Sequence, residues 1–332
     1  MSAKIIGFDM GEKNLKMVYM AGGEVKKSIC AEMPDSMVAD GQIVAADAMS
    51  AFISETAKKN GIPKGDAAII LPPSQTYVRT ITVPVMSEHQ LSYNLPYEFK
   101  DYLTEEKNKY IYDYEVLETI SDEEGNPKEM RLFVCAILKD LIERMRVTFA
   151  RAGYRLKVAV PEEYVYAKLF RMGEMSLLPQ EGLCAIVDFG QAETRMHILV
   201  NGEYDNKRTF DIGVQAIEHI IADAKFTDVH MAHNYILQNY EDCQNDPKCV
   251  ELYNQIAIEL LKAVNFCNYN NPDTELTELY VIGGGAAIEP LIDIIRQVTK
   301  LNIHFGEEIL NKKMGAEDPA MTLRAVSAAA EA

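Results

Sequence analysis

An apolar run that ends in an aspartate and a glycine occurs near the start of the chain and predicts a tight hairpin. The run Lys4–Phe8 is typical of a buried strand, and Asp9 and Gly11 separate it from a second apolar stretch, Asn14–Met20. Aspartate and glycine are both favoured in tight turns. The pattern therefore predicts two antiparallel strands with the Asp9 carboxylate at the tip of the turn between them.

The same pattern returns in the middle of the chain. The apolar run Cys184–Val187 is followed by Asp188 and Gly190, and Arg195–Val200 alternates between large apolar and polar residues as a half-buried strand does. An Asn-Gly pair at 201–202 then predicts a type I′ hairpin turn, because both residues tolerate a positive φ. Two copies of this pattern indicate an internal duplication.

The remaining periodicity predicts a unit of three strands, a helix and a strand in each half, and each unit carries an insertion. In the first half the predicted elements are a helix Gly41–Asn60, a strand Ala67–Leu71, a strand Tyr77–Val83, a helix from Ser87 to about Leu103, strands Tyr110–Leu117 and Arg131–Leu138, a helix Lys139–Ala152, a strand Arg155–Val160 and a helix Pro161–Met172. In the second half they are a helix Gly213–Ala224, a helical stretch Thr227–Asn271, a strand Leu279–Ile282, a helix from about Ala286 to Thr299, a strand Leu301–Phe305 and a helix Pro319–Ala330.

Composition narrows the possible functions. The 332 residues suffice for two domains with sizeable cores. A net charge of −17 argues against nucleic acid or an anionic membrane surface as the main partner. Six scattered cysteines without a Cys-x-x-Cys favour the reduced thiols of a cytosolic protein. We find no signal peptide and no apolar run long enough to span a bilayer, so membrane association is expected to be indirect.

Two such units, each with its own insertion, resemble the actin-like ATPase fold. The resemblance implies a duplicated α/β, ribonuclease H-like fold with a nucleotide in a cleft between the halves. In that superfamily two Asp-x-Gly hairpins grip the phosphates from opposite sides, and a glycine-rich turn before a helix holds the nucleoside. Asp9, Asp188 and Gly283–Gly285 occur here in that order.

Five stretches resemble one family within this superfamily, the PilM proteins of type IV pilus assembly. They are Ile5–Gly11, Leu15–Val18, Val78–Glu88, Leu95–Glu98 and Tyr112–Leu117. The resemblance implies a nucleotide-binding cytoplasmic scaffold of type IV pilus assembly or of related type II secretion. It also implies a partner, the N-terminal cytoplasmic tail of a PilN-like bitopic membrane protein. Through that partner the chain would lie at the inner face of the cell membrane.

On this basis we expect seven segments along the chain. They are a first actin-like lobe at 1–74, an inserted subdomain of strand, helix, strand and strand at 75–153, a return to the first lobe with an interdomain helix at 154–183, a second actin-like lobe at 184–226, its helical insertion at 227–273, the rest of the second lobe with the glycine-rich nucleoside turn at 274–310, and a C-terminal helix that packs back on the first lobe at 311–332.

The resemblance also assigns candidate nucleotide contacts. Asp9 and Asp188 are expected near the Mg²⁺ of a bound ATP or ADP, through water, which suits a hard cation that keeps several waters. Gly11 and Gly190 would let backbone amides approach phosphate oxygens, and Lys16 would neutralise phosphate charge. Ordinary turn residues and a solvated lysine are the structural alternatives. The expected nucleotide-binding residues are Asp9, Gly11, Lys16, Asp188, Gly190, Thr194, Gly283, Gly284 and Gly285.

Glu162 and Glu163 are the candidate catalytic residues, because in relatives a Gln or Glu near this point orients the attacking water. Acidic residues are also favoured in a first helical turn, which would explain both equally well. Two departures weigh against hydrolysis. Glu12 stands where active relatives have small or hydroxyl residues, and Gln191 stands where they often have an acid or a glycine. We therefore expect ATP or ADP binding with weak or absent hydrolysis.

A dense row of tyrosines is the candidate partner surface. Tyr93, Tyr97, Tyr112 and Tyr114 are expected to line a groove beside the inserted subdomain, because tyrosine supplies contact area at a low entropy cost. An extended apolar tail would bind there by adding a strand or by filling pockets. Ordinary core tyrosines are the alternative.

Two other functions remain open at this point. An FtsA-like division protein that polymerises at the membrane usually carries a basic amphipathic C-terminal segment, and this sequence ends in Ala328–Ala332. A small-molecule kinase of the same superfold would need an aspartate base that faces a substrate pocket. His230 and His233 are expected to be a surface pair, because a metal site would need a clear third ligand.

Overall fold

Strands and helices follow the order that the apolar pattern predicts. The computed structural model describes residues 4–39, 41–172, 176–179, 181–310 and 319–331. The strands are β1 (Lys4–Met10), β2 (Asn14–Ala21), β3 (Glu24–Glu32), β4 (Val38–Ala39), β5 (Gln42–Ile43), β6 (Asp66–Ile70), β7 (Thr76–Pro84), β8 (Tyr110–Ser121), β9 (Pro127–Leu138), β10 (Arg155–Val160), β11 (Leu183–Phe189), β12 (Thr194–Val200), β13 (Glu203–Phe210), β14 (Glu278–Gly283) and β15 (Asn302–Phe305). The helices are α1 (Ala46–Lys59), α2 (Glu88–Glu98), α3 (Lys139–Arg151), α4 (Glu162–Arg171), α5 (Val214–Lys225), α6 (Val229–Gln238), α7 (Pro247–Asn270), α8 (Glu289–Thr299) and α9 (Pro319–Ala330).

The first sheet has the strand order β10-β6-β1-β2-β3. β1, β2 and β3 form an antiparallel meander, and β6 and β10 extend the sheet in parallel with β1. β1 therefore lies in the middle, which explains its nearly unbroken apolar sequence. Met49 and Ile53 of α1 and Met145 and Phe149 of α3 pack with Phe8 in the core of this sheet.

Two details of the first half differ from expectation. α1 begins at Ala46, whereas the pattern predicted a start at Gly41, because β4 and β5 pair as a small hairpin just before it. α3 falls within the segment expected as an insertion, yet its apolar face joins the core of the first sheet.

A separate three-stranded antiparallel sheet, in the order β7-β9-β8, lies between β6 and α3 in sequence. Leu91 and Leu95 of α2 pack with apolar residues of this sheet in a core of their own. Ser87 caps α2 as predicted, in a reciprocal capping box with Gln90. The helix ends at Glu98, well before the expected Leu103, just after Pro96, which has no amide hydrogen to continue the helical bonds.

The second sheet repeats the first, in the order β13-β12-β11-β14-β15. β11, β12 and β13 form an antiparallel meander, and β14 and β15 lie parallel to β11. The equal topology confirms the predicted duplication and the actin-like fold class. Asn201 and Gly202 both have positive φ, 50° and 74°, as the predicted hairpin turn requires.

Two helices, α6 and α7, form the helical insertion of the second half. Apolar residues of α7, among them Tyr253, Ile256 and Leu260, share one core with β11 and with Ile292 of α8. α8 begins at Glu289, later than the expected Ala286, because the glycine-rich segment after β14 forms a short 3₁₀ turn.

The chain forms two compact units. The first contains the described residues 4–166 and 324–331, and the second contains 167–310 and 319–323. All six cysteines lie in these ranges and are free thiols, as expected. Among the helices described here, none is both long enough and apolar enough to cross a bilayer.

Candidate functional site

Asp9 lies near the end of β1, directly opposite Lys16 of β2. The antiparallel register pairs the two residues, and Lys16 Nζ donates to Asp9 Oδ2 at 3.1 Å. Both side chains are buried. The lysine that the sequence assigns to a phosphate therefore binds the neighbouring carboxylate in this structure.

A second cation reaches Asp9 from the C-terminal helix α9. Arg324 donates from Nε to Asp9 Oδ2 at 3.0 Å and from Nη2 to Asp9 Oδ1 at 3.1 Å. Its Nη1 donates to Glu162 Oε2 at 2.9 Å. A two-pronged arginine–carboxylate contact fixes orientation as well as charge. Arg324 thus joins the first hairpin turn to the start of α4.

These contacts determine the ionisation of Asp9. Burial alone would raise the pKa of Asp9, because a buried carboxylate loses its hydration. The neighbouring charges of Arg324 and Lys16, with their hydrogen bonds, outweigh this and hold the pKa below its ordinary value of 3.8. Asp9 is therefore an anion at neutral pH.

Gly7 allows α9 to lie directly against β1. A Cβ on Gly7 would overlap the backbone carbonyl of Ala325. Two residues further along α9, Ser327 donates its hydroxyl to the carbonyl of Val165 in α4 at 2.8 Å. These contacts place Arg324 beside the first turn.

Asp188 occupies the equivalent place in the second sheet, where the register pairs it with Arg195. Asp188 is buried, with 6% of its surface exposed. Arg195 Nε donates to Glu193 at 2.7 Å. The hydroxyl of Thr194, an expected nucleotide contact, donates to the carbonyl of Ile212 at 2.7 Å and so joins β12 to the end of the next strand.

The two turns are closed by the same backbone bond. The amide of Gly11 donates to the carbonyl of Asn14 at 3.0 Å, and the amide of Gly190 donates to the carbonyl of Glu193 at 3.0 Å. These two amides are therefore used within their own turns. Contacts to a phosphate would fall to the amides that follow each glycine.

The second turn also contacts the N-terminus of α5. The amides of Val214 and Gln215 donate to the carbonyls of Gly190 and Gln191, each at 3.0 Å. A helix N-terminus favours an anion, so α5 supplies positive potential next to this turn.

A partly buried chain of hydrogen bonds links the second turn to α6. Gln191 Nε2 donates to Glu218 Oε2 of α5 at 2.6 Å, and Glu218 Oε1 bonds His233 Nδ1 of α6 at 2.6 Å. Glu218 is 2% exposed. His233 thus contacts a carboxylate of α5. In the described parts of the chain, no group of three or more His, Cys, Asp and Glu residues is arranged to hold a metal.

Gly283 ends β14 directly beside Asp188. Its φ is +85°, and a Cβ at this position would lie 2.6 Å from Asp188 Oδ1. Glycine is required here both by the backbone conformation and by the space. The structure thus groups the expected residues into two sets: Asp9, Gly11 and Lys16 in the first unit, and Asp188, Gly190, Thr194, Gly283, Gly284 and Gly285 in the second.

The candidate catalytic residues have different surroundings although they are adjacent in α4. Glu162 is 1% exposed and forms the ion pair with Arg324. Glu163 is 4% exposed and lies near Cys135 of β9. Burial raises the pKa of Cys135 to about 12, and the charges of Asp113 and Glu163 add to the effect. The Glu162 carboxylate is thus engaged by a cation.

Two of the candidate partner tyrosines, Tyr97 and Tyr112, contact Lys107. Tyr93 and Tyr97 are 65% and 62% exposed on α2. The Lys107 ammonium lies 3.7 Å from the centre of the Tyr97 ring, and the Lys107 carbonyl accepts from the Tyr112 hydroxyl at 2.8 Å. Tyr112 and Tyr114 are half-buried against the core of the three-stranded sheet. Two of the four tyrosines are therefore surface groups, and two are partly core.

Sequence reasoning missed Arg324, Glu218 and His233 as parts of the two turns. Arg324 is the only charged residue in the sequence of α9, and that isolation was the available signal. Glu218 and His233 gave no comparable signal, because only the packing of α5 and α6 brings them to Gln191.

Comparison with known proteins agrees with this fold. The family model for type IV pilus assembly protein PilM matches residues 7–326. No curated protein matches the chain in sequence. A structure of the PilM-PilN type IV pilus biogenesis complex is similar over 98% of this chain and 97% of its own, with 16% identity and a TM-score of 0.79.

Two further structures share the fold. The ethanolamine utilization protein EutJ from Carboxydothermus hydrogenoformans has a TM-score of 0.61 and 14% identity, over 98% of this chain and 88% of its own. MreB5 of Spiroplasma citri bound to ADP has a TM-score of 0.51 and 10% identity, over 98% and 94%. The family match covers nearly the whole chain, and the chain therefore belongs to the PilM family of type IV pilus assembly proteins.

Proposed function

We propose that the chain is a nucleotide-binding scaffold of type IV pilus assembly that binds the cytoplasmic N-terminal tail of a PilN-like bitopic membrane protein. The observation that carries this proposal is the PilM family match over residues 7–326. The fold similarity to a PilM-PilN complex supports the choice of partner. The tail would hold the chain at the inner face of the cell membrane. No observation favours the division protein or the small-molecule kinase.

The proposed ligand is ATP or ADP, bound through the two Asp-x-Gly turns and the glycine-rich turn after β14. The two Asp-x-Gly turns, each closed by the same type of backbone hydrogen bond, support this choice. The ADP in the similar MreB5 structure supports it as well. Gly283–Gly285 present no side chains to block a nucleoside. α5 would stabilise phosphate charge at the second turn through its N-terminus.

The carboxylate of the first turn does not suit a direct contact with Mg²⁺. Asp9 Oδ1 accepts from Arg324, and Asp9 Oδ2 accepts from both Arg324 and Lys16, so these oxygens do not fit a magnesium ligand. Any Mg²⁺ that accompanies the nucleotide would be held by phosphate and water, and Asp9 and Asp188 would contact it only through such water.

Hydrolysis is proposed to be weak or absent. A general base must be free to accept a proton from the attacking water. Glu162 Oε2 already accepts from Arg324 Nη1 at 2.9 Å, so a proton transferred to this oxygen would displace that contact. Weak hydrolysis is consistent with a scaffold, which needs a bound nucleotide more than it needs ATP turnover.

Nucleotide binding is tested by calorimetry with ATP and with ADP on the full chain. We expect saturable binding of both and a phosphate release rate close to the uncatalysed background. Absence of any heat up to millimolar nucleotide would refute the nucleotide part of the proposal. Rapid phosphate release would refute the scaffold part.

Partner binding is proposed along the strip of Tyr93, Tyr97, Tyr112 and Tyr114. The exposed rings of α2 and the β8 strand, which pairs only with β9 in the described sheet, offer both aromatic contacts and a strand edge. An extended apolar segment would bury these rings, and it would need no charged residues to do so.

The partner test uses a synthetic peptide with the cytoplasmic N-terminal sequence of the cell's own PilN-like protein. Tyr97→Ala should weaken peptide binding about tenfold or more, as the loss of an aromatic anchor does. Tyr269→Ala is a matched control, because Tyr269 is 86% exposed on α7 and lies outside the strip. Equal affinity of the two variants would place the tail elsewhere.

A further inference from the structure

Four charged side chains are joined by ion pairs at the first turn. Asp9 and Glu162 supply two carboxylates, and Lys16 and Arg324 supply two cations. All four are largely withdrawn from solvent, from 1% exposed for Glu162 to 13% for Arg324. The formal charge of the group is therefore zero without any added ion.

The position of the guanidinium matters more than the charge count alone. It bridges Asp9 and Glu162, with two nitrogens on the first carboxylate and one on the second. A divalent cation that neutralised two buried carboxylates would have to lie in the same place. The Asp9 oxygens that such an ion would need are already accepting hydrogen bonds.

We propose that Arg324 is a built-in cation at the first turn that replaces a divalent metal between Asp9 and Glu162. Arginine suits this role because it is always charged and its planar fork addresses two carboxylates at once. The inference rests on the proposed nucleotide binding and adds a statement about its metal dependence. Because Arg324 takes the place of the metal, the affinity of the chain for ATP or ADP depends little on Mg²⁺.

A purely structural arginine is the competing explanation. Such a residue would tie α9 to β1 and α4 and would leave the metal dependence of nucleotide binding unchanged. The two explanations differ in what the loss of the guanidinium creates. In Arg324→Gln, Asp9 and Glu162 lose the guanidinium that bridges them, and two buried carboxylates without their bridging cation attract a divalent cation.

The first experiment needs no nucleotide. Free Mn²⁺ is measured by electron paramagnetic resonance in the presence of the full chain. We expect no tight Mn²⁺ site in the natural chain and one new site per chain in Arg324→Gln, at least tenfold tighter than the background of acidic surface groups. The double variant Arg324→Gln with Glu162→Gln is the matched control and should lose that site.

Two results of this experiment would overturn the inference. One is a tight Mn²⁺ site in the natural chain that the Asp9→Asn substitution removes. The other is a folded Arg324→Gln variant, judged by circular dichroism, that gains no site. If Arg324→Gln does not fold, Arg324→Lys takes its place, because a single ammonium cannot span both carboxylates and should leave a weaker form of the same site.

The second experiment compares nucleotide affinity in Mg²⁺ and in EDTA. The natural chain should change less than about threefold, and Arg324→Gln should lose at least tenfold in EDTA. A loss of tenfold or more in the natural chain would overturn the inference, and this arm depends on no variant. If neither chain binds nucleotide under any condition, the proposed function fails, while the Mn²⁺ experiment still decides the role of Arg324.

Discussion

The turn at Asp9 and the turn at Asp188 share strand order, register and backbone closure, yet their carboxylates have different neighbours. Asp9 faces Arg324 of the C-terminal helix, and Asp188 faces the glycine turn at Gly283. When the two aspartates are aligned, Gly7 corresponds to Ile186, which is fully buried. The two copies thus keep the same hairpin backbone although α9 lies against the first hairpin and the glycine backbone at Gly283 lies against the second.

The two carboxylates also differ in the elements that approach them. In the first unit, cations from β2 and α9 contact Asp9. In the second unit, the end of β14 comes so close that a Cβ on Gly283 would lie 2.6 Å from Asp188 Oδ1. The same hairpin backbone thus has a distant helix at one turn and a glycine backbone at the other.

The largest expected effect comes from Asp9→Asn. This change removes the carboxylate that Lys16 and Arg324 share, and breaking a buried ion pair from one side typically costs about 3 kcal/mol or more of unfolding free energy. Denaturant unfolding measures the loss. Asp188→Asn is the matched variant at the second turn, and the difference between the two losses compares the two turns. Equal losses would show that the two turns are energetically equivalent.

The same ion pairs predict an acid limb of stability. Because the pKa of Asp9 is lowered in the folded chain, its contribution is complete above the unfolded value of 3.8 and disappears as the pH falls through the folded value. Unfolding free energy measured between pH 5 and pH 2.5 should fall less steeply in Asp9→Asn than in the natural chain. Parallel curves would contradict the lowered pKa.

Gly7→Ala should have the next largest effect. The added Cβ would overlap the Ala325 carbonyl, so α9 must move away from β1, at about 2 kcal/mol or more. Gly65→Ala is the control, because a Cβ there meets its nearest neighbour at an ordinary 3.5 Å. Hydrogen exchange should show faster opening of α9 only in Gly7→Ala. Unchanged exchange would mean that α9 is held by other contacts.

Gly283→Ala tests the open turn. A positive φ and a Cβ close to Asp188 Oδ1 make alanine costly by about 1–3 kcal/mol, and the turn must shift. We expect ADP affinity to fall about tenfold by calorimetry. Gly284→Ala is the neighbouring control, since a Cβ there lies 3.6 Å from Val214. A larger loss in Gly284→Ala would move the ligand contact to the second glycine.

Much of this comparison could be predicted from the sequence, because strands and turns are local. The apolar runs broken by Asp9 and Asp188 located both hairpins, and Ser87 marked the start of α2. The partner of Asp9 could not be predicted, since Arg324 lies 315 residues further along and only the packing of α9 on Gly7 brings it there. Exposure of the tyrosines also depends on tertiary structure, because α2 covers one face of the sheet.

The smallest expected effect lies at the outer strands. Each sheet joins its last parallel strand to its neighbour by an ion pair, Arg155 with Asp66 in the first and His304 with Glu278 in the second. Burial lowers the pKa of His304, but the hydrogen bonds to Glu278 and Glu308 outweigh it and raise the pKa above 6.5. The second pair therefore depends on pH near neutrality and the first does not.

The direction in which stability changes with pH follows from the difference between the folded and unfolded pKa of His304. A raised folded pKa means that the His304 contribution is complete below 6.5 and is lost as the pH rises through the folded value. Between pH 5.5 and pH 8.5 the natural chain should lose less than about 1 kcal/mol from this source, because the pair is partly exposed. Thermal unfolding of His304→Gln should lack that part of the pH dependence, whereas Arg155→Gln should lower stability equally at both pH values. If Arg155→Gln removed the pH dependence and His304→Gln did not, the pH dependence would come from the Arg155–Asp66 pair, contrary to this prediction.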